Sequence, residues 1–222
     1  MKKILCLLIF FLLFSGCGSK PTPGWIGAGN QQLESFKNRF LTDEQPAVAE
    51  RHFQRAVEEI KKSGDLDLLG KAWLTRMALQ CALLVKMEEG EYGRIAVVHP
   101  VPANRNFYLF LAGDPATVDG TLLPEQYRPF LDALREGSLA RVEKAIAAIQ
   151  EDPLSRLIAA GLAARRGLEN EAILQAAVST ASHNGWKRAL LVWMGRLQTY
   201  YEAAGDSAKA AAVRRHIELI ER

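Results

Sequence analysis

The amino-acid sequence predicts an all-α protein made of antiparallel helix hairpins stacked one on the next. Three observations lead there. Apolar residues recur three and four apart along nearly every segment after Trp25, the period of a helix with one buried stripe. Alternating β-branched runs are nearly missing; residues 95–98, stopped by Pro100 and Pro102, form the one short strand candidate. Gly137, Gly167 and Gly205 each close one amphipathic segment and precede another, as a left-handed helix stop does.

The N-terminus carries a different signal. Lys2 and Lys3 precede an apolar run over residues 4–14, and Ser15 and Gly16 then lead to Cys17. A basic start, an apolar stretch too short for a comfortable membrane span and small residues at a cut site read as a secretion signal. The tetrapeptide Phe14-Ser15-Gly16-Cys17 resembles the lipobox of bacterial lipoproteins, with Phe14 where that family usually has Leu and Leu13 one step earlier. The resemblance implies that residues 1–16 are removed and that Cys17 is acylated, becoming the mature N-terminus and tying the chain by lipid to a membrane outside the cytoplasm. It points to the outer membrane, facing the periplasm, because Gly18 stands where an Asp would favour inner-membrane retention. In a cell with one membrane the anchor is the cell membrane. Two or three acyl chains hold firmly, since each buried methylene contributes about 0.8 kcal/mol and a single chain alone is marginal. Residues 17–24, with two prolines and small neighbours, are tether chemistry and reach at most about 26 Å.

Composition narrows the partners. Loss of Lys2 and Lys3 brings the 28 basic and 25 acidic residues close to balance. No basic stripe with interleaved aromatics is present, so nucleic acid is not an expected partner. Three cysteines are present; Cys6 leaves with the signal and Cys17 takes lipid, which leaves Cys81 with no intrachain disulfide to make. Cys81 lies on the stripe Leu69, Trp73, Met77 and Leu84, where it reads as a small buried hydrophobe.

Residues 25–98 form an N-terminal helical layer. Gly27-Ala28-Gly29 reads as a turn, and the stripes of Ala49, Phe53, Val57 and Ile60 and of Leu69 to Leu84 both need a neighbour. Residues 99–123 fit no repeat: Pro100, Pro102, Asp114-Pro115 and Asp119-Gly120 surround a short apolar helix over residues 106–111. Such a segment is either a functional insertion or a linker between helical layers packed by Phe107, Tyr108 and Phe110. From residue 124 to 222 the stripes return as Val142 and Ile146, Leu157 and Leu162, Trp193 and Leu197, then Val213 and Ile217, with Pro129 expected to break a first helix.

In the last unit Leu197, Tyr201, Gly205 and Ala210 follow one another as large apolar, aromatic, turn and small residue. In order and spacing they resemble the tetratricopeptide repeat, whose hairpins recur about every thirty-four residues. Gln198 and Arg214 depart from its pattern, Ala163 and Ala176 replace aromatics in the preceding unit, and the match fades before Leu154. The resemblance implies a concave wall of first-helix residues, here Leu154, Leu157, Gly161, Ala164, Arg165, Val192, Gly195, Arg196, Thr199 and Glu202. The Lys and Asn with which some such domains clamp a terminal carboxylate are not at the matching places. Apolar contact with a helix or extended segment is the expected mode.

No chemistry-bearing motif stands out. His52, His99, His183 and His216 are scattered without metal spacing. A nucleophile elbow and a phosphate loop are both missing. Glu34-Ser35 resembles only the start of a lytic transglycosylase motif. The expectation is therefore a periplasm-facing binding or assembly module, not an enzyme and without metal or cofactor. An envelope protein would be held in its groove, with self-association into a structural homo-oligomer as the alternative and peptidoglycan cleavage a weaker one.

Overall fold

The computed structural model describes residues 24–42 and 45–221; the signal, Cys17 and the rest of the tether up to Pro23 lie outside them. Among the described residues the chain forms eleven α-helices and three 3-10 turns and no strand. The all-α class and the stacking of successive helices are as the periodicity predicts.

Helices α1 (Gly24–Thr42) and α2 (Pro46–Lys61) make an antiparallel hairpin. Three contacts set its register. Gly29 meets Ile60, Gln32 bonds His52 at 2.8 Å, and the rings of Phe36 and Phe53 lie 4.9 Å apart. Gly27-Ala28-Gly29, read as a turn, is thus helical, because a side chain at Gly29 would already touch the neighbouring helix. Helix α3 (Leu66–Ala82), capped by Asp65 accepting from Leu68 N–H at 3.0 Å, is the central element. It packs on α1, α2 and α8 as well as on the two short helices that follow it, and its residues from Leu69 to Leu83 are mostly buried.

Those short helices are α4 (Tyr92–Val98) and α5 (Pro102–Ala112). The strand candidate at residues 95–98 is therefore the last turn of α4. His99 N–H closes the turn onto the Ile95 carbonyl at 2.8 Å and Pro100 prevents another. The segment 99–123 is ordered by core packing: Phe110, Leu111, Val118 and Leu123 are buried, each contributing about 1.5–3 kcal/mol. Its irregular backbone is satisfied from outside, since Asn106 exchanges hydrogen bonds of 2.8 and 2.6 Å with the backbone of Asp119, and Arg135 donates to the carbonyls of Pro115 and Val118.

Six helices complete the chain: α6 (Arg128–Glu136), α7 (Leu139–Ala148), α8 (Pro153–Arg165), α9 (Glu171–His183), α10 (Lys187–Ala203) and α11 (Ser207–Glu221). Pro129 does not break a helix, because it occupies the first turn of α6 where its missing N–H has no intrahelical role. The three predicted stops have φ of 63°, 67° and 75° at Gly137, Gly167 and Gly205, the left-handed region that favours glycine. Gly185, unread in the sequence, turns α9 into α10 in the same way with φ 65°. One continuous apolar core runs from Phe36 in α1 to Ala210 in α11.

Candidate functional site

The predicted wall divides in two. On α8, Leu157, Gly161 and Ala164 are buried and Leu154 is half-buried. What buries Gly161 is α3: a Cβ built there would stand 2.2 Å from the Cys81 carbonyl oxygen. The two backbones meet because neither Gly161 nor its neighbours hold them apart, and the Cys81 thiol donates to the Ile158 carbonyl at 3.7 Å. Burial pushes that thiol up to about 12, so it stays protonated as a packed hydrophobe. Arg165 sits at the exposed rim, its guanidinium donating to the Val85 carbonyl. Leu157 and Gly161 thus face the chain's own central helix, and no open groove passes over them.

A sequence signal for this existed. Residues 157–164 read Leu-Ile-Ala-Ala-Gly-Leu-Ala-Ala, apolar on every side, and a helix without a polar face is one covered all round. The amphipathic reading of α8 missed it.

On α10 the wall is only partly covered. Trp193 is fully buried and donates from Nε1 to the Ala82 carbonyl at 2.9 Å, while Arg188 donates to the Phe40 carbonyl at 3.2 Å and stacks on its ring. These contacts pin the first half of α10 to the N-terminal layer. Beyond them the helix opens: Val192, Gly195 and Arg196 are half-exposed, and Thr199 and Glu202 are exposed. Arg196 is held by Glu169, with an Nε to Oε2 distance of 3.1 Å, Thr199 donates to the Gly195 carbonyl, and Glu202 accepts from Gln198 at 2.8 Å. Gly195 has no heavy atom near its would-be Cβ. Glu202 continues into a cleft of about 430 Å³ between α10 and α11, lined also by Gln198, Ser207, Ala211 and Arg214.

Behind that cleft a polar knot ties α9, α10 and α11 together. The Tyr201 hydroxyl donates to Glu171 at 2.8 Å, Lys209 pairs with Glu171 at 3.1 Å and lies over the Tyr201 ring, and Gln175 donates to the tyrosine oxygen. The Tyr201 hydrogen bond, then Lys209, holds the Glu171 carboxyl below its ordinary range. Lys209 is exposed, yet engaged.

A second cleft, of about 280 Å³, lies where the segment 99–123 meets α3. Leu74, Phe107, Leu122 and Pro124 give it an apolar floor, with Lys71, Thr75 and Asn104 at the edge. Asp67 fixes that edge by accepting from Lys71 and from Asn104, each at 2.7 Å, and its carboxyl is lowered chiefly by the Lys71 hydrogen bond.

Among the described residues, two groups of side chains carry chemistry that could serve catalysis. Glu34 is exposed in an ion pair with Lys37. The hydrogen-bonded chain from buried Tyr127 through Ser155 to exposed Asp152, with steps of 2.8 and 2.6 Å, ends on the N-cap of α8, where Asp152 also accepts from Ser155 N–H. Among the described residues no three His, Cys, Asp or Glu converge as a metal site, and no helix is long and apolar enough to cross a membrane. No protein family matches the chain, and no curated or structurally solved protein was found similar to it.

Proposed function

We propose that this protein is a lipid-anchored binding module of the cell envelope, whose body is a degenerate tetratricopeptide-like array that holds a partner protein close to the membrane. The observation that carries the reading is the run from Lys2 through the apolar stretch to Ser15-Gly16-Cys17, followed within eight residues by helix. Lipid on Cys17 and a tether of that length keep whatever the body binds within a few nanometres of the bilayer.

The tetratricopeptide part rests on the last hairpin, where Tyr201 and Ala210 are both buried between α10 and α11 and Gly205 turns the chain. The contact surface is narrower than the full wall: Gly195, Arg196, Thr199 and Glu202 on α10, continued by the α10–α11 cleft. Polar residues dominate it, so hydrogen bonding and charge pairing to Arg196, Glu202 and Arg214 replace the purely apolar mode expected from sequence.

Photo-crosslinkers placed at Thr199 and Glu202 in intact envelopes test this, with Ala147 on α7 as comparison. Discrete adducts at both α10 positions, with the Thr199 adduct vanishing on Glu202→Lys, support the reading. Adducts at Ala147 alone refute the surface. Sedimentation of the same protein in detergent separates partner binding from self-association: a dimer crosslinked through α10 turns the proposal into the self-associating one. Cys17→Ala should abolish metabolic labelling with a palmitate analogue; undiminished labelling removes the anchor.

A further inference from the structure

Among the described residues the two most exposed large apolar side chains, Val97 and Val98, lie on α4, near the end of the N-terminal hairpin where α1 begins. Helix α1 starts at Gly24, and the contact of Gly29 with Ile60 places that start beside the last turn of α2. Lys61 at the end of α2 bridges to Glu91 at 3.4 Å, the residue before α4. Leu66 and Leu69 of α3, with Arg94, Ile95 and Val98 of α4, line a cleft of about 290 Å³ next to it. Past that cleft Val97 and Val98 are 84% and 74% exposed. Trp25 and Ile26, in the first turn of α1, are only half-buried.

Three features of this end belong together. Helices α1, α2 and α3 all present an end here, so the face is a footing with their axes rising away from it. Its charges pair locally, Lys61 and Arg94 sharing Glu91 and Lys62 with Glu59, which leaves little excess charge on the face. Only six residues separate Cys17 from Gly24, a span of at most about 25 Å.

From this we infer that the end formed by the first turn of α1, the α2–α3 turn and α4 is the membrane-facing surface of the protein, with Val97 and Val98 inserted at the bilayer interface. The occupant is the lipid surface that carries the protein's own anchor, and the inference rests on acylation of Cys17. Two valines alone would bind a bilayer weakly. A short tether raises the local concentration to the millimolar range, however, and a weak surface is then occupied without new contacts. Trp25 suits the same place, its ring at headgroup level beside the tether. Because the charges pair internally, neutral lipid should serve as well as anionic lipid.

The test uses full-length acylated protein purified from membranes and reconstituted in phosphatidylcholine vesicles, with and without phosphatidylglycerol. An environment-sensitive dye is attached at Val98→Cys or at Asn38→Cys, which lies about 21 Å further along α1. The parent takes no dye, since Cys81 is buried and Cys17 is thioether-linked. Brominated acyl chains should quench the dye at position 98 several-fold more than at position 38, equally in both lipid mixtures, and aqueous iodide should show the reverse order. Equal quenching at the two positions, or a position 98 dye fully open to iodide, overturns the inference. A position 98 dye shielded from iodide yet untouched by brominated lipid means that protein covers the face, and overturns it too. Mass spectrometry of the N-terminal peptide from the same sample separates the two levels: acylated protein with position 98 in water loses the face and keeps the anchor, whereas unacylated protein loses both.

Discussion

Helices α8 and α10 were expected to offer the same wall, and they do not. In α8 the small residues around Gly161 let α3 approach until backbone meets backbone, and the wall is consumed as core. In α10 a large residue, Trp193, reaches α3 through the Ala82 carbonyl, and one side of the turns beyond it stays open. The comparison teaches that small residues on a helix face do not distinguish a binding surface from an interior seam. What distinguishes them is whether another element of the chain occupies the space.

Glycine substitution breaks or sharpens this most directly. Gly161→Ala sets a methyl against the Cys81 carbonyl, a fixed backbone atom, so the α3–α8 seam must open at a cost of about 3 kcal/mol or more, the upper end of overpacking. Gly195→Ala meets nothing and should stabilise by about 0.5–1 kcal/mol through helix propensity. Urea midpoints should therefore move in opposite directions. Loss of stability in both variants would mean that α10 is covered as α8 is.

The second prediction weighs the one anchor that α10 has on α3. Trp193→Phe keeps most of the ring but strips the donor from the Ala82 carbonyl, a last-turn group with no partner within its helix. A buried acceptor left unpaired costs about 2 kcal/mol, again read as a urea midpoint. An unchanged midpoint would show that solvent reaches this seam.

Legibility in the sequence follows the range of the interaction. Local features came through: helical periodicity, the stops at Gly137, Gly167 and Gly205, and Cys81 as a buried hydrophobe. The misread elements were local patterns settled by a distant partner. Gly29 is helical because Ile60 lies against it, and residues 95–98 are helical because α4 packs on α3. Coverage of Leu157 and Gly161 depends on α3, more than seventy residues earlier in the chain, and periodicity within α8 carries no register for that contact. Pro129 was misjudged for a simpler reason: where a helix begins decides whether proline breaks or starts it.

The third prediction moves to the last hairpin. Ala210 is buried against α10, whereas Ala212 is exposed two residues on. Ala210→Leu should cost about 1–2 kcal/mol, the lower part of the overpacking range, because α11 packs chiefly on α10 and can swing outward. Ala212→Leu should be near neutral, as both residues favour helix. Ala212 is a cleaner comparison than Lys209, whose pairing with Glu171 would add a loss of its own.

The smallest effect is the one that pH isolates. Glu171 begins α9, where the helix dipole already favours a carboxylate. Its pKa is lowered first by the Tyr201 hydroxyl and then by Lys209, and Lys209 is raised chiefly by its bond to Glu171. A carboxyl lowered in the folded state contributes stability that is present above its ordinary value and lost as pH falls through the lowered one. A raised lysine contributes below its ordinary value and loses that contribution as pH rises through the raised one. The two shifts largely describe one interaction, present across the neutral range and lost in acid when Glu171 takes a proton. Glu171→Gln should lower the melting temperature slightly at neutral pH, and the gap from the parent should close as the pH drops below the ordinary glutamate range. Because the Glu171 and Lys209 side chains are partly exposed to solvent, added salt should narrow the neutral-pH gap as well. A gap that persists unchanged in acid would assign the loss to packing of the side chain rather than to its charge, and would make the α9–α10–α11 junction a dry seam like that between α3 and α8.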